Sequence, residues 1–338
     1  MKRLYPLKID IASHILPTKY KKAIDEIAPG HVQQDKNNML PTLWDLDQRF
    51  KIMDIYEVMH VLTLSRPPLE EIIEDKNKSL DLAKLANDEI AELVAKYPNR
   101  FPSAVATVSL NDINGSLKEL ERAITELKFR GVQFYTHVKD KPLDSPDFNP
   151  FWELMSHFNL PIWIHPTFGV TDIDYRGEKQ SKYAVASIFG WPYETTVAMS
   201  RLVFSGVFDQ WPNLKVITHH CGGGMIPFYI DRITAFHSMR EFNHGISDST
   251  RLSKAPEDYY KMFYADTALY GNTPGLMLGR SFFGIDKILF GTDFPFGGQN
   301  GERVTRQTIN AIEEMEIDEN EKKRIYENNS RKLLRLPV

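Results

Sequence analysis

The chain has 338 residues, with 41 Lys or Arg against 45 Asp or Glu, a formal charge of −4 at pH 7. This slightly acidic balance lacks the electrostatic footprint of a sequence-independent nucleic-acid binder. The single cysteine, Cys221, excludes an internal disulfide and a thiolate-rich zinc cluster and fits a reducing compartment. No apolar run approaches the ~18 residues of a membrane span, and the opening MKRLYPLKIDIASH lacks the long apolar stretch of a secretion signal. A cytoplasmic location is expected.

Taken from the N-terminus, eight short runs predict strands at 7–13, 58–64, 103–108, 131–138, 161–165, 215–219, 262–266 and 287–291. Most are continuously apolar and rich in Val, Ile, Phe and Tyr, which suits strands covered on both faces of a parallel sheet. Amphipathic segments between them predict helices at 80–96, 117–128, 194–209 and 302–314; in the second, Leu117, Leu120, Ala123, Ile124 and Leu127 recur at helical spacing. Alternation of this kind predicts an α/β fold, a (β/α)8 TIM barrel forming one domain over 1–338. The doubly wound alternative lacks a Gly-rich dinucleotide fingerprint after its first strand. Two stretches break the rhythm. Residues 17–42, with Pro17, Pro29, Gly30 and Pro41, read as a small insertion after the first strand, and 167–191 as a second long loop. Substrate specificity is expected to reside in both.

Polar residues stand where several predicted strands end: His14, His165, the His219-His220 pair, Asp266 and Asp293. A buried apolar strand has no structural need to finish in imidazole or carboxylate. In a barrel these ends converge on the face that carries active sites. Imidazoles with a carboxylate on one rim point to a divalent metal. Adjacent residues of an extended strand face opposite sides, so only one of His219 and His220 can face the site while the chain stays extended. Which one is left open at this level. His137 and Asp266 also end strands and are expected to line the pocket or brace its ligands.

With those residues in place, the chain resembles the metal-dependent amidohydrolase superfamily, in the branch typified by aminocarboxymuconate-semialdehyde decarboxylase. Asp10-Ile11-Ala12-Ser13-His14 followed by Pro17 is similar to that family's opening His-x-His strand. Trp44-Asp45 through Arg49 to Met53-Asp54 resembles the helix that follows. Leu160-Pro161 through His165-Pro166, Trp191-Pro192 with Glu194-Thr195-Thr196, His220 with its glycines, Gly291-Thr292-Asp293-Phe294-Pro295 and Asn329-Ser330 continue the match in order. The resemblance implies one divalent metal, zinc, held by His14, His165 and Asp293. It implies His220 as general acid/base, with Asp293 also able to move a proton. It implies Arg49 and Arg232 as grips on substrate carboxylate, Arg232 acting in a neighbouring subunit of a homodimer, and Trp191 as a stacking surface for a planar substrate.

The departure is Ala12, which stands where the family has the first histidine. Alanine offers no ligand atom, Ser13 faces the other side of the strand, and Asp10 lies one pleat pair deeper. Three protein ligands remain, the number found in catalytic zinc sites. The leading expectation is a metal-dependent non-oxidative decarboxylase, a carbon–carbon lyase acting on a small aromatic or unsaturated carboxylic acid. Two alternatives stay open. One is a metal-dependent hydrolase of a lactone, ester or amide on the same barrel. The other, motivated by Ala12, is a metal-poor barrel that only binds a small molecule or has lost activity.

Overall fold

The computed structural model describes residues 7–29, 40–65, 68–139, 141–167, 174–243 and 252–336, with the backbone alone for 240–243. Strand β1 (Lys8–Ile15) pairs in parallel with β2 (Val58–Leu64). Strand β3 (Val132–Tyr135) is followed by a short antiparallel pair, β4 (His137–Val138) and β5 (Lys141–Pro142), outside the main wall. Strands β6 (Pro161–His165), β7 (Lys215–Thr218), β8 (Tyr264–Asp266) and β9 (Ile288–Leu289) extend β3 into a five-stranded parallel sheet in that order. Segment 103–108 joins β2 to β3 through parallel bridges, Ala104 to Leu62 and Ala106 to Val132. The ring closes where Ile11 N–H donates to Phe290 O at 3.0 Å and His14 N–H to Phe294 O at 2.7 Å. A closed all-parallel sheet with intervening helices is the expected (β/α)8 architecture.

The local departures from expectation have physical causes. Segment 103–108 forms bridges rather than a full strand, because the Asn87 side chain takes both backbone groups of Thr107 in place of a ladder neighbour. The predicted helix 194–209 divides into Trp191–Phe204 and Val207–Gln210 at Gly206, where φ is 81°. The predicted insertion 17–42 opens with a helix, Thr18–Ile27, which buries Tyr20 and Ile24 one turn apart. Its first amides, Lys19 and Tyr20 N–H, donate to the Glu89 carboxylate of the helix Lys76–Lys96. A carboxylate suits this position, since the first turn of a helix leaves N–H groups without intrahelical partners. Parts of both expected insertions, 30–39 and 168–173, lie outside the described residues.

The barrel interior is packed by Ile9, Ile11, Ala12, Val61, Val105, Trp163, Ile217 and Leu289. The Trp163 indole N–H donates to Ile11 O at 3.1 Å, so its one polar atom is satisfied within the barrel. Gly131 makes room for that ring, because a Cβ there would collide with Trp163 and Pro161 O. The outer core lies between the strands and the surrounding helices. At the first-strand departure the ladder is irregular: the β1–β2 register shifts between Asp10 and Ser13. The Asp10 carboxylate explains it, accepting from Ala12 N–H at 2.9 Å and from Thr292 N–H at 3.1 Å.

Asp10 carries a pH prediction. Burial pushes its carboxyl from the ordinary 3.8 up to about 7, against the lowering effect of its bonds from Thr292 and Ala12. The folded chain therefore keeps a proton that the unfolded chain has lost between these values. The associated stability is full below the unfolded pKa and is lost as pH rises through the folded one. Asp10→Asn keeps an acceptor for the two amides and is neutral throughout. The melting temperature of the variant relative to the parent is expected to rise between about pH 4 and pH 8; a difference that stays flat would contradict the buried, protonated carboxyl.

Candidate active site

The strand ends converge. His14 is the penultimate residue of β1, His165 closes β6, His219 and His220 follow β7, Asp266 closes β8, and Asp293 follows β9. All six are buried. One donor atom from each of His14, His165 and Asp293 lies within 4.8 Å of the other two. His14 Nε2 is 3.2 Å from Asp293 Oδ1, and its Nδ1 is 3.0 Å from Thr63 Oγ1. His165 Nδ1 donates to Pro166 O at 2.6 Å. A carbonyl only accepts, so the proton of neutral His165 sits on Nδ1 and the lone pair on Nε2. A histidine oriented by a carbonyl in this way is the usual arrangement of a metal ligand.

The donor set passes the test of its own chemistry. Two imidazoles and a carboxylate, all buried, suit a divalent cation. With its proton on Nδ1 toward Thr63, His14 turns a lone pair toward Asp293 Oδ1, and a cation between them satisfies both. Asp10 does not replace the ligand missing at Ala12. Its Oδ1 is held by Ala12 and Thr292 amides and its Oδ2 by the Thr292 hydroxyl, at 2.5 Å.

The two adjacent histidines both border the site, because the chain leaves the extended conformation between them. His220 and Cys221 have φ of 56° and 54°, and Gly222, Gly223 and Gly224 continue at 67°, 67° and 65°. A run of left-handed residues is costly for any side chain with a Cβ, which is why three glycines follow. Asp266 supports the turn. Its Oδ1 accepts from Cys221 N–H at 3.1 Å, and its Oδ2 lies 3.1 Å from His219 Nδ1. The His219 ring is 4.8 Å from that of His165. His220 Nε2 is 3.7 Å from Asp293 Oδ2, and its ring stacks on Trp191 with centroids 5.9 Å apart.

Electrostatics divide the roles. Burial opposes the charge on Asp293, but the His14 and His220 imidazoles beside it outweigh this and hold the carboxyl well below the usual range. Burial opposes a proton on His220, yet Asp293 raises its pKa above the ordinary imidazole value. Burial pushes the Cys221 thiol up to about 12, so it is no nucleophile.

Arg49 does not take the place expected for it. Arg49 is fully buried inside the wall. Its guanidinium donates to His14 O at 2.8 Å, Ser13 Oγ at 2.5 Å, Thr42 O at 3.3 Å and, through Nε, His60 Nδ1 at 3.1 Å. This corrects its assignment as a carboxylate grip: its hydrogen-bonding nitrogens are committed to holding the end of β1 that carries His14. Arg232 lies exposed on the helix Met225–Asn243, 4.7 Å over the Phe236 ring.

Three supporting residues escaped the sequence reading. Thr63, which orients His14, is the penultimate residue of β2 and has only its position to mark it. Tyr270 donates to Asp293 Oδ2 at 2.7 Å from a loop without a motif. Glu194 accepts from Thr167 N–H at 2.8 Å and Thr167 Oγ1 at 2.7 Å, pinning the turn after His165. His137 joins that cluster, with Nε2 3.0 Å from Glu194 Oε1. In the sequence Glu194 stands out only as part of the run Glu194-Thr195-Thr196.

A barrel with these residues on its rim defines a class. Residues 9–336 match the Amidohydrolase family, and the chain belongs to it. The chain is 29% identical over 329 residues to 2-amino-3-carboxymuconate-6-semialdehyde decarboxylase of Dictyostelium discoideum, covering 91% of this chain and 86% of the relative. It is 30% identical over 302 residues to gamma-resorcylate decarboxylase of a Polaromonas species, covering 86% and 87%. A solved dihydroxybenzoic acid decarboxylase from Polaromonas sp. JS666, with bound manganese and the inhibitor 2-nitroresorcinol, superposes with a TM-score of 0.77 at 28% identity, covering 97% of each chain.

Proposed function

We propose that this protein is a metal-dependent, non-oxidative decarboxylase of a small aromatic carboxylic acid. The observation that carries the reading is the convergence of His14, His165 and Asp293 beside a second, separately held histidine, His220. The manganese-bearing relative and the decarboxylase names of the other relatives support it. His14, His165 and Asp293 hold one divalent cation. Two nitrogens and one carboxylate oxygen suit zinc, the ion expected from the resemblance, and manganese, the ion bound in the Polaromonas structure, is the other candidate. When bound, the cation supplies Lewis-acid charge that favours electron flow out of the scissile bond.

The chain's own groups do the rest. Trp191 offers a flat face stacked beside His220, on which a planar ring can lie. Asp293 Oδ2, 3.7 Å from His220 Nε2, favours a proton on that imidazole. As the bond to the carboxylate breaks, its electron pair remains on the ring carbon, CO2 leaves, and His220 delivers its proton to that carbon. The burial of His220, His165 and Asp293 limits access of bulk water to that proton.

The reading extends to a homodimer. Arg232 shares its face with large exposed apolar side chains, Phe228 at 71%, Phe236 at 53% and, nearby, Phe189 at 67%. Phe189, Tyr193, Phe228 and the backbone of Gly223–Gly224 line an open groove of ≈ 690 Å³. Exposed aromatics on this scale mark an interaction surface. A second copy seated there brings Arg232 toward its neighbour's substrate, where a guanidinium grips a carboxylate with two parallel bonds. No helix among the described residues is long and apolar enough to cross a membrane. The lone, buried thiol supports a reducing, cytoplasmic setting.

The product decides the reaction. Protein loaded with manganese or zinc is incubated with a panel of hydroxybenzoates and unsaturated diacids, and headspace CO2 is measured beside a matched panel of lactones and esters. CO2 matching the acid consumed is expected. Ring opening or ester cleavage without CO2 from any acid would instead establish the hydrolase reading.

A further inference from the structure

Tyr270 stands in the loop after β8, outside every motif. Its hydroxyl donates to Asp293 Oδ2 at 2.7 Å. That oxygen also faces His220 Nε2 at 3.7 Å, while the other, Oδ1, faces His14 Nε2 at 3.2 Å. The two oxygens of one carboxylate therefore have different neighbours, and Tyr270 holds the one that does not face His14.

The surrounding backbone is shaped around this phenol. Tyr270 has φ of 52° and Gly271 follows at 92°, so the chain turns sharply to present the ring. The ring lies against Gly297, at φ 83°, where an added Cβ would sit 3.0 Å from Tyr270 Cε1. Gly297 belongs to the loop that follows Asp293. The phenol thus ties the loop after β8 to the loop after β9. Asp293 is itself left-handed at φ 66°, a strained setting that persists only where neighbours over-determine it. The terminal torsion of an aspartate is broad and roughly two-fold, so packing of the backbone does not fix which oxygen points where.

We propose that Tyr270 is a positioning residue for Asp293: its hydroxyl pins Oδ2 and thereby keeps Oδ1 turned toward His14 and the metal position beside it. The inference rests on the metal site of the proposed function and not on the reaction assigned to it. Loss of such a partner behind a metal ligand typically costs about 10–100-fold in affinity.

Tyr270→Phe removes one oxygen and keeps the ring against Gly297. Manganese(II) is titrated into the metal-free variant and parent, with free ion read by electron paramagnetic resonance, and both metal-free proteins are melted. The variant is expected to bind manganese about 10-fold or more weakly, with an unchanged melting temperature. At saturating manganese its kcat is expected to fall further than its KM changes. Affinity within about two-fold of the parent, or a loss of affinity matched by a lowered melting temperature, overturns the positioning role. A parent chain that binds manganese but releases no CO2 from any acid sinks the decarboxylase reading while the titration still decides Tyr270. A parent that binds neither manganese nor zinc overturns both.

Discussion

Replacement of His220 by Asn is expected to lower kcat for decarboxylation by about 10²–10⁴-fold, the range associated with loss of a positioned proton donor. The substitution is chosen for its backbone. His220 sits at φ 56°, and asparagine tolerates the left-handed region better than other side chains with a Cβ. The fold is therefore expected to survive, with a melting temperature at or above that of the parent. Asn cannot exchange a proton near neutral pH, so turnover is lost while the Trp191 surface and the three ligands remain. Metal content should be unchanged, because His220 faces Asp293 Oδ2 rather than the oxygen turned to His14. Turnover within about ten-fold of the parent would remove His220 from the chemistry and direct attention to His219.

The second large effect concerns the metal. Partners that merely orient a ligand already contribute about 10–100-fold to affinity, so His165→Ala, which removes a ligand, is expected to cost more than ~100-fold. With Ala12 contributing nothing, that leaves His14 and Asp293, too few for a stable site. Activity should vanish with the metal and should not return at moderate added manganese. The parent, stripped by a chelator, should recover fully on addition of one equivalent. The difference between the two separates loss of the ion from loss of the site.

Much of this architecture was legible in the residues themselves. Continuous apolar runs alternating with amphipathic stretches reveal the barrel because a parallel strand is buried on both faces and a covering helix on one. The ligand candidates stand out because imidazole and carboxylate at the end of such a run have no packing reason to be there. What could not be read depends on long-range geometry. Arg49 looks like any helix arginine until its guanidinium is seen to collect His14 O, Thr42 O and Ser13 Oγ. The His219-His220 alternation argument fails because it assumes an extended chain, and the three glycines after Cys221 allow a left-handed turn instead. Tyr270 carries no local signal, since its role exists only through Asp293, far along the chain. The helix Thr18–Ile27 was hidden by flanking prolines, and its N-terminal amides are satisfied by Glu89 from another helix, a partner no local pattern shows.

Ala12 is the residue on which the account is most exposed. The structure offers no substitute ligand from Asp10, whose oxygens are held by Ala12 and Thr292. On the proposed reading the site has three protein ligands, His14, His165 and Asp293, the number found in catalytic zinc sites. The most direct measurement is a crystal of the protein grown with manganese, with diffraction recorded at the manganese edge. The account predicts one anomalous peak per chain, between His14 Nε2, His165 Nε2 and an Asp293 oxygen, and its loss in His165→Ala. No peak at that position, in protein that remains catalytically competent or is inert with every acid, would contradict the metal centre and favour a barrel that works, or only binds, without one.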